Sequence, residues 1–143
     1  MNSKPKQIIF FIDRCLGKHP IVEKLRATGI AVETHDNHFP QNTSDADWIP
    51  KVGEWGWIIL TKDKRIARNT LERQAVARAK IRMFTLGSKK LTGAETAIVF
   101  QKALEPMLKF IEKNDAPFIA KVNGDGKVSA WKDANDLLTE IND

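Results

Sequence analysis

Trp57-Ile58-Ile59-Leu60-Thr61-Lys62-Asp63-Lys64-Arg65-Ile66 begins as an unbroken apolar run and ends in charge. The run is short and follows Gly56, which suits a strand buried on both faces. Such strands belong to parallel sheets with helices on either side. An open sheet of that kind binds its ligands just beyond the carboxyl ends of its strands. Asp63 stands at that place.

Upstream the same pattern occurs twice more. Residues 7–13 carry Ile8-Ile9-Phe10-Phe11-Ile12 and end in Asp13. Ile30-Ala31-Val32-Glu33-Thr34 is less apolar, as expected nearer a sheet edge, and runs into His35-Asp36-Asn37-His38. All three strand candidates end within two residues of an aspartate. Between them lie helical stretches. Gly17 and Pro20 open one over 20–28, with Ile21, Val22 and Leu25 inward and Gly29 closing it. Residues 38–44 read as a polar loop. Ser44 is a good N-cap for a helix over 45–54, with Trp48, Ile49 and Val52 facing the core. Asp45 and Asp47 fall in its first turn, where they also suit the helix dipole without any further role.

Downstream, residues 68–79 predict a basic helix whose buried stripe is Leu71, Ala75, Val76 and Ala79. A strand follows over 81–86, then a flexible basic loop, Gly87-Ser88-Lys89-Lys90. The longest helix spans about 93–113, with Pro106 expected to kink it and Ala97, Ile98, Phe100, Ala103, Leu104, Met107, Leu108 and Ile111 on its apolar face. Two strand-like runs flank Asn123-Gly124-Asp125-Gly126, a strong hairpin signal. Residues 132–143 read as a short acidic helix. The alternation predicts a three-layer α/β/α sandwich with a mostly parallel central sheet, plus a C-terminal β-hairpin. One domain covers 1–143, with its core over about 7–115 and the hairpin and tail over 116–143.

The bulk figures agree with one globular domain. The chain has 143 residues, of which 42% are hydrophobic. Its net charge of +5 permits an anionic partner such as nucleic acid without demanding one. Cys15 is the single cysteine, so no intrachain disulfide forms, and it reads as a small buried hydrophobe. Met1–Lys6 leads directly into a strand, and no apolar run reaches the roughly 20 residues that cross a bilayer. The expectation is a cytoplasmic protein with no membrane contact.

Right-handed crossovers bring the strand ends to one edge. Asp13 and Asp63 meet there if their strands are neighbours. A helix that packs antiparallel to its following strand delivers Asp45 and Asp47 to the same edge, and Asp36 is a fifth candidate. Several carboxylates that close together need a cation. Hard oxygen donors without a Cys/His cluster point to Mg²⁺ or Mn²⁺ rather than zinc. Such an ion activates water for in-line attack on phosphorus. Arg14, Lys62, Lys64, Arg65 and Arg68 surround these acids in sequence and are candidates to hold a phosphate backbone, or simply a solvated face. Asn69 and Glu72 read as an exposed helix face. His19, His35 and His38 share no ligand spacing, and Trp48, Trp55 and Trp57 suit core packing better than base stacking.

Taken together, these segments resemble the compact PIN-like domains, closest to the branch of VapC toxins from toxin–antitoxin pairs. The likeness rests on Phe10-Phe11-Ile12-Asp13, on Gly29-Ile30-Ala31-Val32 with His35-Asp36, on Asp45-Ala46-Asp47-Trp48-Ile49, and on Gly56 to Ile66. Its most specific part is Thr61-x-Asp63 at a strand end with an acid 18 positions upstream, Asp45. The resemblance implies a metal-dependent endoribonuclease, the toxin of a type II pair, often dimeric and inhibited by a cognate antitoxin. It implies catalytic roles for Asp13, Asp45 and Asp63, metal binding by these with Asp47 beside them, and RNA contacts near Arg14, Thr61, Lys62, Lys64, Arg65 and Arg68. Many relatives carry a second acid soon after the first strand aspartate, where this chain has Arg14-Cys15. The alternative is a PIN-like module that binds RNA or a partner protein without cutting. A receiver-like phosphorelay domain also gathers aspartates at strand ends, but the acidic pair it needs near residue 13 is missing.

Overall fold

The computed structural model describes residues 7–17, 19–87 and 90–141. Strand β1 (Ile9–Ile12) leads through a 3-10 turn (Arg14–Leu16) to α1 (His19–Ala27) and β2 (Ala31–Thr34). Then come α2 (His35–His38), α3 (Asp45–Trp55) and β3 (Ile58–Thr61). They are followed by α4 (Arg65–Arg68), α5 (Thr70–Arg78), β4 (Arg82–Leu86) and α6 (Gly93–Lys113). The hairpin of β5 (Phe118–Val122) and β6 (Val128–Lys132) precedes α7 (Ala134–Ile141).

The six strands form one sheet in the order β2-β1-β3-β4-β5-β6. The first five run parallel, and β6 pairs antiparallel with β5. After β2 the chain returns to the other side of β1. The winding therefore reverses between β1 and β3, where an open sheet leaves a crevice at its carboxyl edge. Phe11 pairs with Ile59 and Ile12 with Leu60 in that central register.

Strand periodicity sorts the core into two layers. Phe10, Ile12, Ile58, Leu60 and Phe84 pack against α1 and α6. Phe11, Ile59 and Met83 point the other way, onto Trp48, Ile49 and Val52 of α3 and Val76 of α5. All four residues of β3 are buried, as a central parallel strand requires. Gly53 lets α3 approach α5, since a Cβ there would lie 2.6 Å from the Ala79 carbonyl oxygen. The sandwich and hairpin are those the sequence predicts, and no helix among the described residues is long and apolar enough to cross a membrane.

Several local expectations change. A short helix, α2, occupies His35–His38, between the second strand and the polar loop read over 38–44. The helix expected over 68–79 is α5, and a separate short helix, α4, precedes it, because the Asn69 side chain accepts the Glu72 N–H and starts α5 afresh. That restart turns Leu71 outward, so it is 76% exposed rather than part of a buried stripe. Ile98 also faces solvent. α6 opens with a reciprocal capping box between Thr92 and Glu95 and runs unbroken across Pro106. The basic loop falls partly outside the described residues, at Ser88 and Lys89. The C-terminal helix docks on α5 through Arg73 and Glu140, 2.8 Å apart. Leu137 is fully buried in the same layer as Ile59 and Ile66.

Candidate active site

The ladder fixes Asp13. Its backbone N–H donates to the Leu60 carbonyl at 3.0 Å, extending the β1–β3 pairing to the last residue before the turn. Its side chain is buried and its Oδ2 accepts the Thr61 hydroxyl at 2.8 Å. Thr61 Oγ1 in turn accepts the Asp63 N–H at 3.0 Å. The Thr-x-Asp segment is thus a local hinge that ties two aspartates from neighbouring strands together. Cys15 completes it. Its Sγ lies 3.2 Å from Thr61 Oγ1 and 3.6 Å from Asp13 Oδ2, and accepts the Lys62 N–H at 3.3 Å. Burial, with Asp13 beside it, pushes the thiol up to about 11, so it stays protonated and able to donate. The expected plain hydrophobe is a polar member of the site.

Asp45 begins α3, and its Oδ1 accepts the indole N–H of Trp48 at 2.9 Å. Burial raises its pKa above the ordinary aspartate value, and the charge of Asp13 raises it further. Asp63 is held differently. Arg65 donates its backbone N–H and Nε to Oδ1, both at 3.0 Å, and a guanidinium nitrogen to Oδ2 at 2.9 Å. These hydrogen bonds lower the Asp63 pKa against the opposing effect of burial.

Asp13, Asp45 and Asp63 line one cavity of about 260 Å³, together with Arg14, Cys15 and Arg65. Three segments remote in sequence therefore meet at the switch point. Asp47 is exposed and Asp36 lines a neighbouring cavity. Arg14 donates to the Gln41 carbonyl across the boundary between the two cavities. Lys64 donates to the Gly87 carbonyl at 3.1 Å, and Lys62 and Arg68 are exposed beyond the cavity lining.

Glu72 is the acid that the exposed-face reading overlooks. It is half-buried, and its Oε2 is buried without a hydrogen-bond partner. Burial raises its pKa, and so do the charges of Asp45 and Asp63. The signal lay in Asn69-x-x-Glu72, the spacing of a helix N-terminus, which brings Glu72 into the first turn of α5 beside the Asp63 loop.

The donor set suits a hard divalent cation in its chemistry: carboxylate oxygens, two of them on partly or fully buried side chains of the β1–α3 wall, and an orphaned carboxylate oxygen nearby. Its present arrangement is looser. Among the described residues no three His, Cys, Asp or Glu side chains converge as a metal site would, and both Asp63 oxygens are on Arg65.

The fold is that of a PIN-type domain, and the comparisons with known proteins agree. The family model described as "PIN like domain" matches residues 8–88. A Mycobacterium tuberculosis protein named "Putative ribonuclease VapC45" is 30% identical over 117 residues, covering 79% of this chain and 84% of the relative. The chain belongs to the PIN-like domain family, with a VapC-type relative. No solved structure matches it.

Proposed function

We propose that this chain is a metal-dependent endoribonuclease, the toxin of a type II toxin–antitoxin pair, hydrolysing RNA phosphodiesters with Mg²⁺ or Mn²⁺. The observation that carries this reading is the meeting of Asp13, Asp45 and Asp63 in one cavity, with Arg14 and Arg65 beside them. The name of the mycobacterial relative supports the ribonuclease class.

Asp13, Asp45 and Asp63 would hold the cation. When bound, it supplies a more acidic water and a Lewis acid for the phosphoryl oxygen. Thr61 and Cys15 orient Asp13 from behind, fixing the Oδ2 that faces them. Arg14 and Arg65 hold the phosphate. Arg65 must leave Asp63 to do so, and its side chain is 84% exposed, so the pair is weak and a phosphate can take the guanidinium over. The basic excess of the chain draws RNA toward the site. By the same family reading, the natural partners are a cognate antitoxin and a second copy of the chain.

A binding-only module is the second reading, and the hold of Arg65 on Asp63 favours it. Purified protein with single-stranded RNA separates the two. The nuclease reading expects cleavage with Mn²⁺ or Mg²⁺, none with a chelator, and a rate lowered by about 10²-fold or more in Asp63→Asn. RNA that is bound but never cut under any divalent metal overturns it in favour of the module.

A further inference from the structure

A second polar cavity of about 240 Å³ adjoins the acid site at the carboxyl ends of β1 and β2. Arg14, Thr34, His35, Asp36 and Gln41 line it, and Arg14 belongs to both cavities. Thr34 and His35 are 5% and 2% exposed. Their Thr34 Oγ1 and His35 Nδ1 are buried with no hydrogen-bond partner. The nearest carboxylate oxygen, Asp36 Oδ1, stands 4.0 Å from that nitrogen, too far for a hydrogen bond. Orphaned polar atoms on two consecutive residues are unusual in a folded domain and each carries a desolvation cost. Both residues line the cavity, where a bound solute can supply a hydrogen-bond partner.

We propose that this cavity takes one nucleobase of the RNA, that of the nucleotide flanking the phosphate held at Asp13, Asp45 and Asp63. The inference rests on the nuclease reading for which phosphate that is. The size excludes larger ligands, whose pockets run to roughly 300–1,000 Å³. The chemistry selects a neutral, two-signed edge. Arg14 donates, Asp36 accepts, and the Thr34 hydroxyl does both. A phosphate there would face the Asp36 carboxylate. The His35 ring is wedged among Phe11, Phe39 and Trp48, with centroids 6.1, 5.4 and 5.7 Å away. Burial also lowers the His35 pKa against the pull of nearby carboxylates, which favours the neutral imidazole with one acceptor and one donor nitrogen. Single-stranded RNA offers such unstacked base edges, and base contacts are what carry sequence preference.

The test uses the full chain without metal, and follows the His35 imidazole resonances by NMR during titration with adenosine, guanosine, cytidine, uridine and inorganic phosphate. At least one nucleoside should shift His35 saturably, and phosphate should not. Thr34→Val should weaken that nucleoside about fivefold, as loss of one neutral hydrogen bond implies. The same change should raise the melting temperature of the free protein, because it removes an unpartnered hydroxyl. In cleavage of a randomised RNA, the preferred base beside the cut should match the nucleoside that binds, and Thr34→Val should flatten that preference. Failure of every nucleoside to move His35, or a phosphate shift in place of one, overturns the pocket even if RNA is cut. Nucleoside binding with no cleavage under any metal overturns the nuclease reading instead.

Discussion

Two polar cavities meet at Arg14, and they are built in opposite ways. In the acid cavity the carboxylates already have donors: Thr61 and Cys15 on Asp13, Trp48 on Asp45, Arg65 on Asp63. In its neighbour, Thr34 Oγ1 and His35 Nδ1 have none. The difference follows from charge. An ionised group left unpaired in a half-buried site costs far more than a neutral hydroxyl or imidazole, so it must be oriented before any substrate arrives. A neutral wall tolerates waiting. Positioned charge suits chemistry, and unpartnered neutral groups suit recognition.

The contrast can be broken at its strongest point first. Asp13→Asn and Asp63→Asn should each lower RNA cleavage by about 10²-fold or more, the scale of removing one preorganised charge from a reacting centre. Gel assays of initial rates check this, and full activity in either variant would remove the distinction between the cavities. Thr61→Val leaves both acids in place but frees Asp13. It should cost about 10–100-fold in cleavage or metal affinity, as losing the group that orients a ligand does. Calorimetric Mn²⁺ titration separates the two, and an unchanged affinity with unchanged rate would mean the hydroxyl only fills space.

Arg65→Gln sharpens the contrast from the other side. It should release Asp63, strengthen divalent binding several-fold and weaken RNA binding, measured by calorimetry and filter binding. Weaker metal binding in this variant would show that Arg65 supports the acid rather than competing for it.

The smallest effect is on stability. A carboxylate whose folded pKa is raised binds protons more readily folded than unfolded, so at neutral pH it opposes folding. Asp45 is such a group. Asp45→Asn keeps an acceptor for Trp48 and should raise the melting temperature at pH 7 by about a degree or two, the scale on which a fraction of a kcal/mol moves a small domain. The gain should fade as pH falls through the raised folded value, and vanish below the ordinary aspartate range. Asp63 has the opposite sign, since its pKa is lowered. Its contribution is present above the ordinary value and is lost as pH falls through the lowered one, so Asp63→Asn should reduce melting temperature at pH 7.

Much of this architecture was legible in the chain. Central parallel strands are continuous apolar runs, and the polar residues that follow each mark the sheet edge, which exposes Asp13 and Asp63 to reading. Ser44 marks the start of α3, and Asn123-Gly124-Asp125-Gly126 marks the hairpin. What stayed hidden depends on neighbours brought by folding. Asn69 suits helix interior or cap, and only its hydrogen bond to Glu72 decides, so the sequence alone places Leu71 inward and Glu72 in solvent. Cys15 looks apolar until Thr61 lies beside it. The clasp of Arg65 on Asp63 is a choice of side-chain rotamer that no spacing specifies.

The family match ends at residue 88, yet α5 is braced from beyond it by Glu140, which pairs with Arg73, and Leu137 seals the layer behind Ile66. Progressive trimming from the carboxyl end would therefore bare Val76 and Ile66 before it removed a single member of the acid cavity. A minimal fragment cut to the family boundary would keep Asp13, Asp45 and Asp63 and lose the floor beneath them.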